Sequence, residues 1–247
     1  VTDAAAGDDA GDVPSGPDAR DVPSGWVQVD FHTHTYGSGD AVTTVEDFAA
    51  AVEAAGLDVV CVTDHNAVRV AHELVPLLDR DLGVRVIVGE EIKTHDGELI
   101  GLFLSERVSF GLPTAQAATA VRDQGGVTYV PHPIGPRSHA MAADDVTRLA
   151  RAGLLDAVEV FNSRNPADSI NAAAAALAVD LDLPGGVGSD AHYPEEIGAA
   201  RLVMPDFDGP ADMLVAMRAG RVVGRRHPEG RSSWRPRIIP AQSTVHP

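Results

Sequence analysis

Two histidines one residue apart, His32 and His34 in VDFHTHTYGSGD, directly follow an apolar run. Residues i and i+2 of a strand point to the same side, so this spacing can aim two imidazoles at one point. It also fits a polar turn that happens to contain histidine. Ionisable residues close other apolar runs in the same manner: Asp64 and His65 in VCVTDHN, Glu90 and Glu91 in VIVGEE, His132 in VTYVPHP, and Asp190 and His192 in GVGSDAH. Each alone reads as a helix cap or a solvated loop residue. Together they point to a shared metal site. Imidazole plus carboxylate, without thiolate, suits zinc, manganese, iron or related divalent ions. His32, His34, Asp40, His65, Glu91, His132, Asp190 and His192 exceed the needs of one ion and would serve two or three, with one carboxylate bridging. Such ions acidify water and clamp both the attacking and the leaving oxygen, which is the chemistry of hydrolysis.

The elements that must position these residues alternate along the chain. Strands are expected at WVQVDF, LDVVCVT, VRVIVGE, ELIGLFL, GVTYV, LDAVEVF and PGGVGS, with helices over 43–55, 67–81, 114–124, 142–152, 166–181 and 210–219. Thr43 and Thr44 ahead of Glu46 and Asp47 mark a helix start, and Gly56, Gly83 and Gly153 mark helix ends. Alternation of this kind implies a mainly parallel sheet with crossover helices, and seven strand units favour an α/β barrel over an open sheet. In such a barrel the C-terminal strand ends share one rim, where active sites are built. Alternation within the first strand sets Val29 and Phe31 on the face opposite Asp30, His32 and His34.

Composition bounds the rest. The chain has 247 residues, a hydrophobic fraction of 44% and only 4% aromatics, so its core is aliphatic. A formal net charge of -17 disfavours long nucleic acid and anionic membranes as partners. Cys61, the sole cysteine, lies inside the apolar run VVCV and reads as a small buried hydrophobe. There is neither a membrane-length apolar stretch nor a basic patch followed by an apolar segment near the N-terminus, so the expected location is cytoplasmic. Residues 1–25, with six aspartates and two copies of DVPSG, read as a disordered acidic tail. The folded domain is expected over 26–224, followed by a tail over 225–247 that carries five arginines.

HTHT, TDHN, GEEI, PHP and SDAH, in this order over about residues 27–200, resemble the polymerase and histidinol phosphatase (PHP) superfamily. The resemblance implies an irregular TIM-like (β/α)7 barrel carrying two or three metals that hydrolyse phosphoesters. It implies that His32, His34 and Asp190 hold a first metal, that Glu91 bridges, and that His132 serves a second. Asp40 would hold a third with His65 and His192. Two departures from the family pattern matter. Several members have histidine where this chain has Asp40. Many also have histidine where Glu98 stands, and Glu98 reads either as a replacement ligand or as an ordinary strand residue.

The expected reaction is in-line attack on phosphorus by a metal-bound hydroxide, in small phosphorylated metabolites or short nucleotides. Asp190, His192 and His65 are the candidates for protonating the leaving oxygen. Arg137, and more weakly Arg164, are candidates for holding phosphate. Asn162 is either a ligand contact or a loop cap, and the direction of Lys93 is open. His72, His95, His139, His227 and His246 read as surface or outer residues. One rival is an amidohydrolase or deaminase, whose paired metals are often bridged by a modified lysine; Glu91 already stands in that place here. The other is a non-catalytic, metal-stabilised module attached to nucleic-acid enzymes, against which the intact ligand set argues.

Overall fold

A computed structural model describes residues 22–136 and 139–226. Nine strands and six α-helices are formed among the described residues: β1 (Trp26–Thr33), α1 (Val45–Ala55), β2 (Val59–Val62), α2 (Arg69–Leu82), β3 (Arg85–Lys93), β4 (Glu98–Leu102), α3 (Thr114–Asp123), β5 (Val127–Val130), α4 (Ala143–Arg151), β6 (Ala157–Asn162), α5 (Asp168–Asp180), β7 (Gly185–Gly188), β8 (Ala200–Pro205), α6 (Pro210–Arg218) and β9 (Arg221–Gly224). The sheet runs β7-β6-β5-β4-β3-β2-β1-β8-β9. It curls into a nearly closed barrel. Just past β7, the Asp190 N–H donates to the His32 carbonyl at 2.8 Å, and the His34 N–H donates to the Ala191 carbonyl at 3.0 Å. The upper half of β1 is thus bound to the β7 side, while its lower half, Trp26 to Val29, pairs with β8.

The expectation of a mainly parallel sheet is corrected. Four pairings are parallel and four antiparallel. β4 is the reversed strand of the barrel, joined to β3 by a short hairpin across 94–97. Its reversal places its first residue, Glu98, at the rim where the parallel strands end. β8 and β9 were not expected. RLVMP and RVVG are short and bounded by proline or glycine, which weakens their strand signal. β3 also continues past Glu91 to Lys93, so the GEE motif lies within the strand and does not end it.

The core has three parts. Val27, Val29, Phe31, Val59, Cys61, Ile87, Ile100, Leu102, Tyr129, Ala157 and Val187 fill the barrel interior, which Met213 and Met217 of α6 join. One outer layer packs α3 and α4 on β4 to β6, and a second packs α1 and α2 on β2. Helix boundaries follow local chemistry. Thr44 accepts from the Asp47 N–H at the start of α1, and Gly56 and Gly83 close α1 and α2 with φ of 65° and 66°.

One irregularity in β1 decides the orientation of the histidines. Its pairing with β2 passes from Asp30↔Val60 to Thr33↔Val62, so β1 carries an extra residue. Simple alternation set His32 and His34 opposite Phe31. The bulge shifts the phase, and Phe31 fills the interior while His32 reaches the interior carboxylates above it. Bulges re-aim side chains beside functional sites in this manner.

Candidate metal centre

The residues that end separate strands in the sequence converge at the rim. His32, His34, Glu91, Glu98, His132, Asp190 and His192 are buried there, and His65 and Asp40 stand at the more open edge with side-chain exposures of 23% and 34%. Four overlapping groups have donor atoms within 4.8 Å of one another: His34, His65 and His192; His32, His34 and Glu91; His32, His132 and Asp190; and His65, Glu91 and Glu98.

Glu91 is the hub. Its Oε1 lies 3.1 Å from His132 Nε2. Its Oε2 lies 3.0 Å from His65 Nδ1 and 3.4 Å from both His32 Nε2 and His34 Nε2. Asp190 Oδ1 stands 3.7 and 3.4 Å from the same two Nε2 atoms. Asp40 Oδ2 lies 3.4 Å from His65 Nε2 and 3.4 Å from His192 Nε2. Glu98 points into the cluster, 3.8 Å from His132 Nε2 and 4.0 Å from His65 Nδ1, so it is more than an ordinary strand residue. His132 and Asp190 adopt φ of 25° and 53°. Non-glycine residues rarely occupy that region, and such strain concentrates at functional sites.

The cluster is electrostatically crowded. Burial and the His192 and His65 imidazoles push His34 down to about 3. Burial alone would also lower His65, but Glu91 and Asp40 override it and raise the ring to about 11. Burial, reinforced by the neighbouring Glu91 carboxylate, lifts Glu98 to about 8. Asp40 is held well below the usual carboxylate range, because hydrogen bonds from His192 and His65 outweigh its desolvation. Five imidazoles and four carboxylates compressed in this way form a donor set for divalent cations. The His32 and His34 Nε2 atoms, 3.0 Å apart, test the fit. Each ring has its Nδ1 engaged elsewhere, His32 with Glu159 at 3.2 Å and His34 with Ser38 at 2.8 Å. With hydrogen on both Nδ1 atoms, two Nε2 lone pairs would face each other at this distance, an arrangement that a cation before them relieves. The residues therefore fit a metal.

Other expected residues fall into distinct roles. Asn162 donates to Glu159 Oε2 at 2.9 Å and to Asp190 Oδ2 at 3.3 Å, so it braces carboxylates of the site. Arg164 donates to Glu196 at 3.1 Å, and Glu196 also accepts the His192 N–H at 2.9 Å. Lys93 is exposed, on the same side of β3 as Glu91. His72, His95 and His139 are exposed, in keeping with their reading as outer residues. Arg137 lies outside the described residues, as do residues 1–21 of the acidic tail and 227–247 of the arginine-rich tail, with His227 and His246. Two buried carboxylates, Glu159 and Glu196, escaped sequence reasoning as parts of this site, and a third, Asp64, was read there as a strand-end residue but not as one of the ligands.

A nearly closed α/β barrel with imidazoles and carboxylates gathered at one rim defines a metal-binding barrel protein. The chain belongs to the PHP family: the PHP domain matches residues 30–151 and the PHP-associated domain matches 169–222. It is 35% identical over 147 residues to an uncharacterized protein of Methanocaldococcus jannaschii, covering 56% of this chain and 82% of that one. A protein of Citrobacter koseri that bears the name probable phosphatase is 26% identical over 232 residues, covering 79% of this chain and 92% of its own length. Among solved structures, a two-domain protein of Bacteroides vulgatus containing a predicted PHP-like metal-dependent phosphoesterase superposes with a TM-score of 0.62 at 20% identity, covering 81% of this chain and 65% of that one. An amidohydrolase of Chromobacterium violaceum with bound sulfate and no metal superposes with a TM-score of 0.56 at 16% identity, covering 68% of this chain and 88% of that one. At such identities these structures share the fold. No helix among the described residues is long and apolar enough to cross a membrane.

Proposed function

We propose that the protein is a metal-dependent phosphoesterase acting on small phosphorylated compounds. One observation carries this reading: a single buried carboxylate, Glu91, reaches four imidazoles with its two oxygens. That is the disposition expected of a bridging ligand between closely spaced cations. His32, His34 and Asp190 would hold one ion, and His132, with Glu98 beside it, another. Asp40, His65 and His192 would hold a third at the open edge. Zinc, manganese and iron all suit the donors. Bound ions would supply Lewis acidity toward water and toward the phosphoryl oxygens.

The chain's own residues do the remaining work. The barrel interior beneath the cluster is apolar and packed, so substrate approaches from the side of Asp40 and His65. Asp190, His192 and His65 are the proposed candidates for protonating the leaving oxygen wherever they are not themselves holding metal, and His65 is the most exposed of the three. Arg137, five residues after His132, is proposed to neutralise phosphoryl charge. The net charge of -17 supports small substrates over long polyanions. Lys93 is exposed, whereas the position between the imidazoles belongs to Glu91, which supports phosphoester over amide chemistry.

The test is a parallel assay of metal-reconstituted protein on a phosphomonoester, a phosphodiester, a nucleoside 3′,5′-bisphosphate and an amide panel. Turnover of a phosphoester, lost on chelation and restored by metal, is the expected result. Amide turnover with phosphoester inactivity would transfer the protein to the amidohydrolase class.

A further inference from the structure

Each histidine of the HTHT motif is backed by a buried carboxylate outside the inward donor set. Behind His32, Glu159 Oε1 lies 3.2 Å from Nδ1. The other oxygen of Glu159 accepts the His132 N–H at 2.6 Å and the Asn162 amide at 2.9 Å. Two N–H donors therefore converge on one oxygen of this side chain, and the His32 ring nitrogen faces the other. A carboxylate oxygen accepts, so it pairs with His32 when the hydrogen sits on Nδ1. Behind His34, Ser38 Oγ lies 2.8 Å from Nδ1, donates its proton to Asp64 Oδ1 at 2.9 Å and accepts the His65 N–H at 3.0 Å. With its single proton committed to Asp64, the hydroxyl can only accept from His34. Both contacts therefore place hydrogen on Nδ1 and leave Nε2 as the inward lone pair.

The backbone makes room for both carboxylates. A Cβ at Gly188 would collide with Glu159 Oε1 and with His32 Cβ, and a Cβ at Gly37 would collide with Asp64 Oδ2. Thr35 completes the Asp64 cage, with its N–H at 2.6 Å and its hydroxyl at 2.5 Å. Two independent clamps, each a carboxylate seated against a glycine, thus serve two residues of one motif.

We propose that Glu159, and separately Ser38 with Asp64, are positioning residues that fix the tautomers of His32 and His34, and that Gly188 and Gly37 are required to seat them. The proposal rests on the metal-centre reading above. Outer partners of metal-binding histidines typically change metal affinity by about 10–100-fold when removed. Glu159→Gln is the informative variant. Its shape is kept, yet its NH2 must face a donor at one end or reverse the His32 tautomer at the other.

The experiment uses the full chain with Zn2+ as probe. Affinity is measured by chelator competition for wild type, Glu159→Gln and Ser38→Ala, with ring-nitrogen NMR of the zinc-loaded proteins and a melting curve for each. Affinity is expected to fall by about 10–100-fold in each variant. The His32 ring signals should move in Glu159→Gln and those of His34 in Ser38→Ala, with the other ring unmoved. A general structural defect would instead disturb both rings together with the melting curve, and that result would overturn the proposal. So would zinc affinity within twofold of wild type in both variants. Wild-type protein that binds no zinc, manganese or iron would overturn the metal reading as well, whereas wild-type binding with indifferent variants would overturn this inference alone.

Discussion

Glu91 and His65 meet twice. Their backbones form a parallel bridge beyond the end of β2, and Glu91 Oε2 lies 3.0 Å from His65 Nδ1. The main chain therefore sets the spacing of the pair before any side-chain torsion is chosen. Glu91 is 1% exposed at this point and is shared among four imidazoles, whereas Asp40 stands 34% exposed and touches two. Glu91→Ala should accordingly abolish bound metal and reduce phosphoester turnover by about 10³-fold or more, with Asp40→Ala reducing it by roughly tenfold. Metal content and kcat/KM of both variants check this. Equal losses, or a larger loss at Asp40, would contradict the bridging role of Glu91.

Gly188 is the tightest seat in the site, because an added methyl group meets both Glu159 and His32. Gly188→Ala should lower stability by about 1–3 kcal/mol, as overpacking of a filled interior does. It should also weaken zinc binding. Gly209 offers a control, since a Cβ added there would meet nothing within 4 Å and its φ of 161° is extended. Denaturation and chelator competition on Gly188→Ala and Gly209→Ala compare the two; similar behaviour would count against the clamp.

Glu196 holds the loop after β7 by accepting from the His192 N–H, the Tyr193 N–H and Arg164. Its carboxylate is 5% exposed and the Arg164 side chain 12%. Glu196→Ala leaves buried donors without this acceptor and should destabilise the fold by about 3 kcal/mol. Urea titration reads the loss, and a change below about 0.5 kcal/mol would show that the loop is held by other contacts.

Glu90 faces away from the cluster. Its Oε2 accepts the Val108 N–H at 2.7 Å, while Oε1 is buried without a hydrogen-bond partner. Burial lifts its pKa from 4.5 to about 7. A carboxyl raised on folding contributes stability below its unfolded value, and that contribution is lost as pH rises through the folded value. Wild type should therefore lose stability between about pH 4.5 and 7 relative to Glu90→Gln, which has no proton to lose. Above pH 7 the variant should gain at most about 2 kcal/mol. Melting curves at pH 5 and 8 measure the difference, and parallel pH profiles would contradict it.

The legible parts of this molecule were those with local signals. His32, His65, Glu91, His132 and Asp190 each follow an apolar run, and the alternation of runs with alanine-rich helices places them on one rim. Glu159 gave no such signal. In AVEVFN a carboxylate between valines reads as a solvent-facing strand residue, and closure of the barrel alone turns it inward. Glu98 stayed ambiguous because the direction of β4 depends on a hairpin, not on its own residues. The β1 bulge was hidden for a related reason: both faces of that strand are buried, so composition does not reveal where the phase slips. Asp64 and Glu196 act through backbone N–H groups, and the partners of such contacts are set by loop geometry.

Metal stoichiometry tests the central claim most directly. The purified chain, stripped by chelation and reconstituted separately with zinc, manganese and iron, is measured by elemental analysis against protein concentration. The account predicts at least two ions per chain with one of these metals, falling below one in Glu91→Ala. Fewer than one ion per wild-type chain with every metal would contradict it.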